Sequence, residues 1–167
     1  SYEGMLVKNS TLDHSSTHNS PSMLTVREHV DIDAPVKMVF DYMDEPSHQP
    51  DVTPSLTTSH LLERLPNGGS RVRYTYKILG LSFTGEVHAT DYVPNERIVW
   101  AMEGDLHGTI RWYFPALDDE QSRFTYAATY ALPGPSVLRP LLKPLVRRYN
   151  EQEVHSLLQQ LKAHMER

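Results

Sequence analysis

The sequence predicts an α+β domain in which a curved antiparallel sheet of about seven strands wraps around one long C-terminal helix. Two patterns carry that prediction. Between Met23 and Tyr130, apolar residues recur with period two in short runs separated by turn residues, as in strands joined by hairpins. After Ser136 the period changes. Val154, Leu157, Leu158, Leu161 and Met165 fall at i, i+3, i+4, i+7 and i+11, the spacing of one buried helix face. The connections between the later strands are too short for crossover helices, so neighbouring strands must pair antiparallel.

In chain order, residues 1–22 are rich in Ser, Thr, Asn and His without a buriable period, and are expected to be a disordered or extended tail ahead of a single domain at 23–167. Ser1 to Gly4 precede the first methionine, Met5, and are expected to be left over from cloning. His14 and His18, with Asp13 beside them, have a spacing that two metal ligands on a helix would share. A tail offers no third fixed ligand, so no metal site is expected.

Met23 to Ile32 reads as the first strand. Asp33, Ala34 and Pro35 supply a cap and an N1 proline for a helix carrying Val36, Val39, Phe40 and Met43. Pro46, Pro50 and Pro54 then predict a loop, with room for one short helix, rather than a strand, so one or two short helices in all follow the first strand. Leu56 to Leu65 is the second strand, and Pro66 to Gly69 turn it into Arg71 to Leu79. There Val72, Tyr74, Tyr76 and Ile78 share one face and Arg71, Arg73, Thr75 and Lys77 the other. Gly80 reverses the chain, and Phe83, Gly85, Val87 and Ala89 oppose Thr84, Glu86, His88 and Thr90. Three more apolar faces follow: Ile98, Trp100 and Met102; Ile110, Trp112 and Phe114; Phe124, Tyr126, Ala128 and Tyr130. In the final helix, Leu138, Leu142, Leu145 and Tyr149 form a second stripe offset from the first. With Pro140 and Pro144 nearby, this predicts a short helical turn, a kink and then a long helix.

Composition narrows the function. A formal charge of -5 argues against nucleic acid as a partner, and no apolar run approaches a membrane span. The chain has no cysteine, which removes disulfides and thiolate chemistry and fits a cytoplasmic location. Oligomeric state is left open.

Nine of the 15 aromatics, Tyr74, Tyr76, Phe83, Trp100, Trp112, Phe114, Phe124, Tyr126 and Tyr130, fall in the inward phase of the sheet. Rings interspersed with phenol hydroxyls suit a site for an apolar molecule bearing a few polar groups; a solid core with hydroxyls at its rim is the alternative. Met102 shares that phase. On the helix, Asn150 and Glu153 point into the arc held by Val146, Tyr149 and Leu157. Either they reach water at the edge of the stripe, or the helix covers a cavity in which they meet a ligand.

Three stretches carry a resemblance: VREHVDIDAPVKMVFDYMDEP, GEVHATDYVPNERIVW and the closing LLQQLKAHMER. The chain from Leu24 to Met165 resembles the START-like helix-grip superfamily, in particular its polyketide cyclase/dehydrase and lipid-transport (SRPBCC) branch. One departure is the HQPDV segment, His48 to Val52, where that group usually has a Trp. The resemblance implies a cavity between sheet and last helix, used by members for lipids, quinones, plant hormones or polyketides, and it implies no shared catalytic motif.

Three functions follow for comparison. The first is binding or transport of a hydrophobic small molecule, without a cofactor. Its mouth would lie at Asp44 to Ser55, Glu103 to Gly108 and Pro133 to Ser136. The second is a cyclase or dehydratase in which Glu153 is the candidate acid or base and Tyr74 or Tyr126 holds a carbonyl oxygen. Glu86 and His88 also share a face, but it is the outer one, where cross-strand charge pairing is commoner. The third is a protein-interaction module using the same groove. Arg139, Lys143, Arg147 and Arg148 make the start of the last helix basic, as a solvated face or a surface for acidic headgroups.

Overall fold

In the computed structural model, which describes residues 23–132 and 137–167, the strands are β1 (Met23–Ile32), β2 (Leu56–Arg64), β3 (Ser70–Ile78), β4 (Leu81–Val93), β5 (Arg97–Gly104), β6 (Gly108–Tyr113) and β7 (Ser122–Ala131). They form one sheet in the order β1-β7-β6-β5-β4-β3-β2, with every neighbouring pair antiparallel. Six strands run as a meander, and β1 joins it beside β7, with Met23 opposite Ala131 and Ile32 opposite Ser122. The chain crosses from one edge of the sheet to the other through α1 (Val36–Asp44), a 3₁₀ turn (Pro46–His48) and α2 (Gln49–Val52). The last element, α3 (Arg139–Met165), packs against β1 and α2.

The alternation of the strands becomes burial. Val72 and Tyr74, Ile98, Trp100 and Met102, Ile110 and Trp112, and Phe124 and Ala128 are all buried in one core with Val39, Phe40 and Met43 of α1. On the opposite face Arg73 lies across from Glu86 and Arg71 across from His88. Glu86 pairs with both Arg71 and Arg73, at 3.5 Å and 3.3 Å. Glu86 is therefore part of an outer charge ladder rather than of an internal acid–base pair with His88, whose Nδ1 is buried without a hydrogen-bond partner among the described residues.

Two local expectations need correction. Pro35 is the N-cap of α1 rather than its first helical residue, and no side chain caps that helix; the Pro35 carbonyl takes the Met38 and Val39 amides instead. The proline-rich stretch after α1 holds a 3₁₀ turn and one short helix, α2, so that two short helices follow the first strand, as expected. By contrast, α3 is one continuous helix and not a turn followed by a separate helix. Pro140 sits in its first turn, where no amide partner is needed, and Pro144 forfeits one bond at the outward end. The tail, His14 and His18, and the expected Pro133 to Ser136 part of the mouth lie outside the described residues.

The two stripes of α3 have different fates. Val154, Leu157, Leu158 and Leu161 are buried against the sheet, whereas Leu138, Leu142 and Leu145 of the second stripe remain exposed, as does Leu141 beside them. Burying a leucine stabilises by about 1.5–3 kcal/mol, so the second half of the helix holds it in place. Replacing fully buried Leu161 with Ala is expected to cost about 3 kcal/mol in chemical denaturation. Leu141→Ala should change stability by less than about 0.5 kcal/mol.

Candidate functional site

The concave face of the sheet is not filled. Between it and the first half of α3 lies an outer chamber of about 240 Å³, walled by Tyr76, Ile78, Phe83, Met102, Ile110, Tyr126 and Tyr130 from the strands, and by Val146, Tyr149, Asn150, Glu153 and Val154 from the helix. Thr53 and Ser55 close one side and Leu106 another, while Leu79, Leu81, Leu142 and Leu145 complete the lining. An inner chamber of about 60 Å³ adjoins it deeper in the sheet, bounded by Met43, Asp44, Gln49, Tyr74, Trp100 and Trp112 among others. Thr53, Tyr76, Ile110 and Tyr126 belong to both walls.

The outer chamber is mainly carbon, with one organised polar corner. Glu153 Oε1 accepts hydrogen bonds from the Ser55 amide at 2.7 Å and from the Ser55 hydroxyl. Tyr149 in turn donates its hydroxyl proton to Ser55 Oγ at 3.2 Å. This chain of bonds ties the segment before β2 to the middle of α3 and satisfies one carboxylate oxygen inside an apolar wall. Asn150 Nδ2 is buried with no hydrogen-bond partner among the described residues.

Three phenols face the same space without a hydrogen-bond partner among the described residues: Tyr76, Tyr126 and Tyr130. Burial raises each above the ordinary phenol value, with neighbouring phenols and, for Tyr76 and Tyr126, the Glu153 charge adding to the effect. They are neutral donors at any physiological pH. Tyr74 is pushed up to about 12, chiefly by burial, and its hydroxyl is already engaged with the Glu103 carbonyl at 3.1 Å. That bond requires Gly85, because a Cβ there would collide with the Glu103 carbonyl and the Tyr74 ring.

Deeper in, the Trp100 and Trp112 rings meet edge to face at 5.3 Å, and both indole nitrogens are buried without an acceptor among the described residues. Asp44 contributes a carboxylate to this wall. Its Oδ2 accepts from the Tyr92 hydroxyl at 2.8 Å, and burial holds its carboxyl above the usual carboxylate range against the pull of Tyr92 and Arg64.

The structure brings Tyr76, Phe83, Met102, Tyr126, Tyr130, Tyr149, Asn150 and Glu153 together around the outer chamber, and Tyr74, Trp100 and Trp112 around the inner one. Phe114 is the exception: it is fully buried in the solid core against Phe40 and Phe124 and lines neither chamber. It follows the end of β6 and points beneath α1, where helix and sheet leave no space. Sequence reasoning missed the pairing of Ser55 with Glu153, and it missed Leu79 and Leu81 of the β3–β4 turn. Ser55 carries no periodic signal. The two leucines flank Gly80 in a short turn, and apolar residues in a turn were the available clue.

The family model described as "Polyketide cyclase / dehydrase and lipid transport" matches residues 23–166. No curated protein sequence matches the chain. Among solved structures, a START superfamily protein from Mycobacterium smegmatis is 18% identical, with a TM-score of 0.69 over 85% of this chain and 97% of that one. A protein from Thermus thermophilus is 20% identical, with a TM-score of 0.75 over 85% and 97%. The Zhui aromatase/cyclase of a Streptomyces species is 17% identical, with a TM-score of 0.68 over 84% and 94%. At these identities the structures establish the helix-grip fold and nothing finer. With the family match spanning nearly all of the described residues, the chain belongs to the polyketide cyclase/dehydrase and lipid-transport family.

Proposed function

We propose that the protein binds an uncharged hydrophobic molecule bearing carbonyl or hydroxyl oxygens in the outer chamber, with its leading end toward the inner one. The observation that carries this reading is the combination of a largely apolar wall with three unpaired phenols and no Lys, Arg or His among the described residues of the lining. A fatty acid carboxylate would meet Glu153 there with no cation to compensate it. A ketone, quinone or polyketide oxygen would accept from the phenols. The buried donors of Asn150, Trp100 and Trp112, each costing about 1–3 kcal/mol while unpaired, favour the same acceptor-rich ligand. At about 240 Å³ the outer chamber lies just under the ~300–1,000 Å³ usual for small-molecule sites, and the inner chamber extends it.

A second reading, a cyclase or dehydratase, is favoured by one specific observation. Glu153 presents a carboxylate to the chamber while Ser55 holds it in place, as a positioned acid or base must be held. In that case Glu153 would take a proton from carbon next to a carbonyl polarised by a phenol such as Tyr126. Binding is the role common to both readings.

Native mass spectrometry of the purified protein, followed by organic extraction, should find a neutral oxygenated apolar compound at near-stoichiometric amount. Tyr126→Phe is expected to weaken its rebinding about fivefold to tenfold, and Val146→Trp, which fills the chamber, to abolish it. Unchanged affinity in both folded variants would place the site elsewhere. Glu153→Gln separates the two readings, since it should retune affinity in a binding protein and abolish conversion of the extracted compound in an enzyme.

The phenols also set an alkaline limit. Each holds its proton more tightly folded than unfolded, so above the ordinary phenol value of 10.0 the native state binds more protons than the unfolded state and stability falls as pH rises. Below that value they add no pH dependence. The denaturation midpoint is expected to fall as pH is raised above about 10, and to fall less in Tyr126→Phe.

A further inference from the structure

Leu79 and Leu81 of the β3–β4 turn and Leu145 of α3 line the outer chamber and are nevertheless 71%, 64% and 55% exposed. They are therefore the two lips of its mouth. Leu141, one helical turn before Leu145, is 77% exposed and extends the helical lip. Leu79 has a positive φ of 52° and is followed by Gly80 at 81°, a pair of left-handed positions that a two-residue hairpin turn normally fills with Asn, Asp or Gly. A leucine at the first of them is unfavourable both in backbone conformation and in water. That is a costly arrangement for a residue that only turns a chain.

Charge accompanies the apolar lips. From 139 to 150 the chain carries Arg139, Lys143, Arg147 and Arg148 and no acid, against a net charge of -5 overall. Arg147 and Arg148 are exposed on α3, and Glu151 is the next acid along the helix. Exposed leucines beside a basic helical segment are the composition of a surface that enters the headgroup region of an anionic bilayer. A second copy of the chain is the poorer occupant, because a two-fold contact through this face would bring the two basic segments together.

We propose that the mouth of the outer chamber docks on an anionic lipid bilayer, with the β3–β4 turn and the first half of α3 inserted at the interface, so that ligand passes between membrane and chamber without crossing water. The docking itself stands on the surface residues; the passage of ligand rests on the proposed binding function.

The test is flotation of the full chain with phosphatidylcholine vesicles, with and without phosphatidylglycerol. Binding is expected with the anionic vesicles only and should weaken as salt rises. Leu79→Glu and Leu141→Glu should each reduce it about tenfold. Arg147→Glu should reduce it about fivefold or more, and Leu62→Glu, at an exposed position on β2 away from the mouth, should leave it unchanged. Leu79→Gly is the sharpest variant: relieving the positive φ should raise stability while deleting the inserted side chain lowers vesicle binding. A wild-type chain that stays with the buffer, or lip variants that float like the wild type, would overturn the proposal. Nile red, an uncharged apolar dye, is titrated against the protein in the absence of lipid. Dye binding without flotation sinks the docking alone, and the absence of both sinks the binding function with it.

Discussion

The anchoring of α3 by Val154, Leu157, Leu158 and Leu161 is the contact on which the remaining features depend. Beyond the part beneath α1, one helix has to cover the inner face of a sheet seven strands wide. Its second half does so with aliphatic side chains. Its first half, held by the same rigid rod, lies over the sheet but presents Tyr149, Asn150 and Glu153 where carbon would be needed to close the gap. The chamber is thus a consequence of covalent continuity: a helix anchored at one end fixes where the other end lies, whether or not that end has a surface to bury.

A carboxylate in such a wall is stable only with partners, and the segment preceding β2 supplies them. Ser55 offers Glu153 an amide and a hydroxyl, and Tyr149 completes the chain of hydrogen bonds. The arrangement has a structural and a chemical consequence. It ties the helix to the segment after α2, and it places a single negative charge in a chamber whose described lining has no positive one. Under the proposed binding function, that charge disfavours acidic ligands, and Tyr76, Tyr126 and Tyr130 are the donors that ligand oxygens would meet. The close approach of Tyr74 to Gly85 shapes the deeper wall in the same economical way, since the absence of one Cβ lets a phenol lie flat across a neighbouring strand.

The outer surface is organised by a different rule. On the convex side of the sheet, Arg71 and Arg73 pair with Glu63 and Glu86 across adjacent strands, so that polar residues in period-two alternation need no deeper explanation. The exposed leucines at the mouth are not balanced in this way. They sit beside cations, at the ends of two elements that meet around an apolar opening.

The strand order of the meander, the inward set of aromatics and the long final helix were legible in the sequence, because each follows from a local period: two for strands, about 3.6 for the helix. The burial of Val154 through Leu161 was legible for the same reason. Three features were decided by tertiary structure. Glu153 faces the chamber because Ser55, 98 residues away in sequence, comes to meet it, and no periodicity links the two. Phe114 has the inward phase of Trp112 but lies under α1, so phase fixed its side of the sheet and not its neighbours. Leu142 and Leu145 of the second stripe share a helical face with no core against it and lie at the rim of the chamber. A helical wheel states which residues share a face; whether another surface comes to that face depends on where the sheet ends.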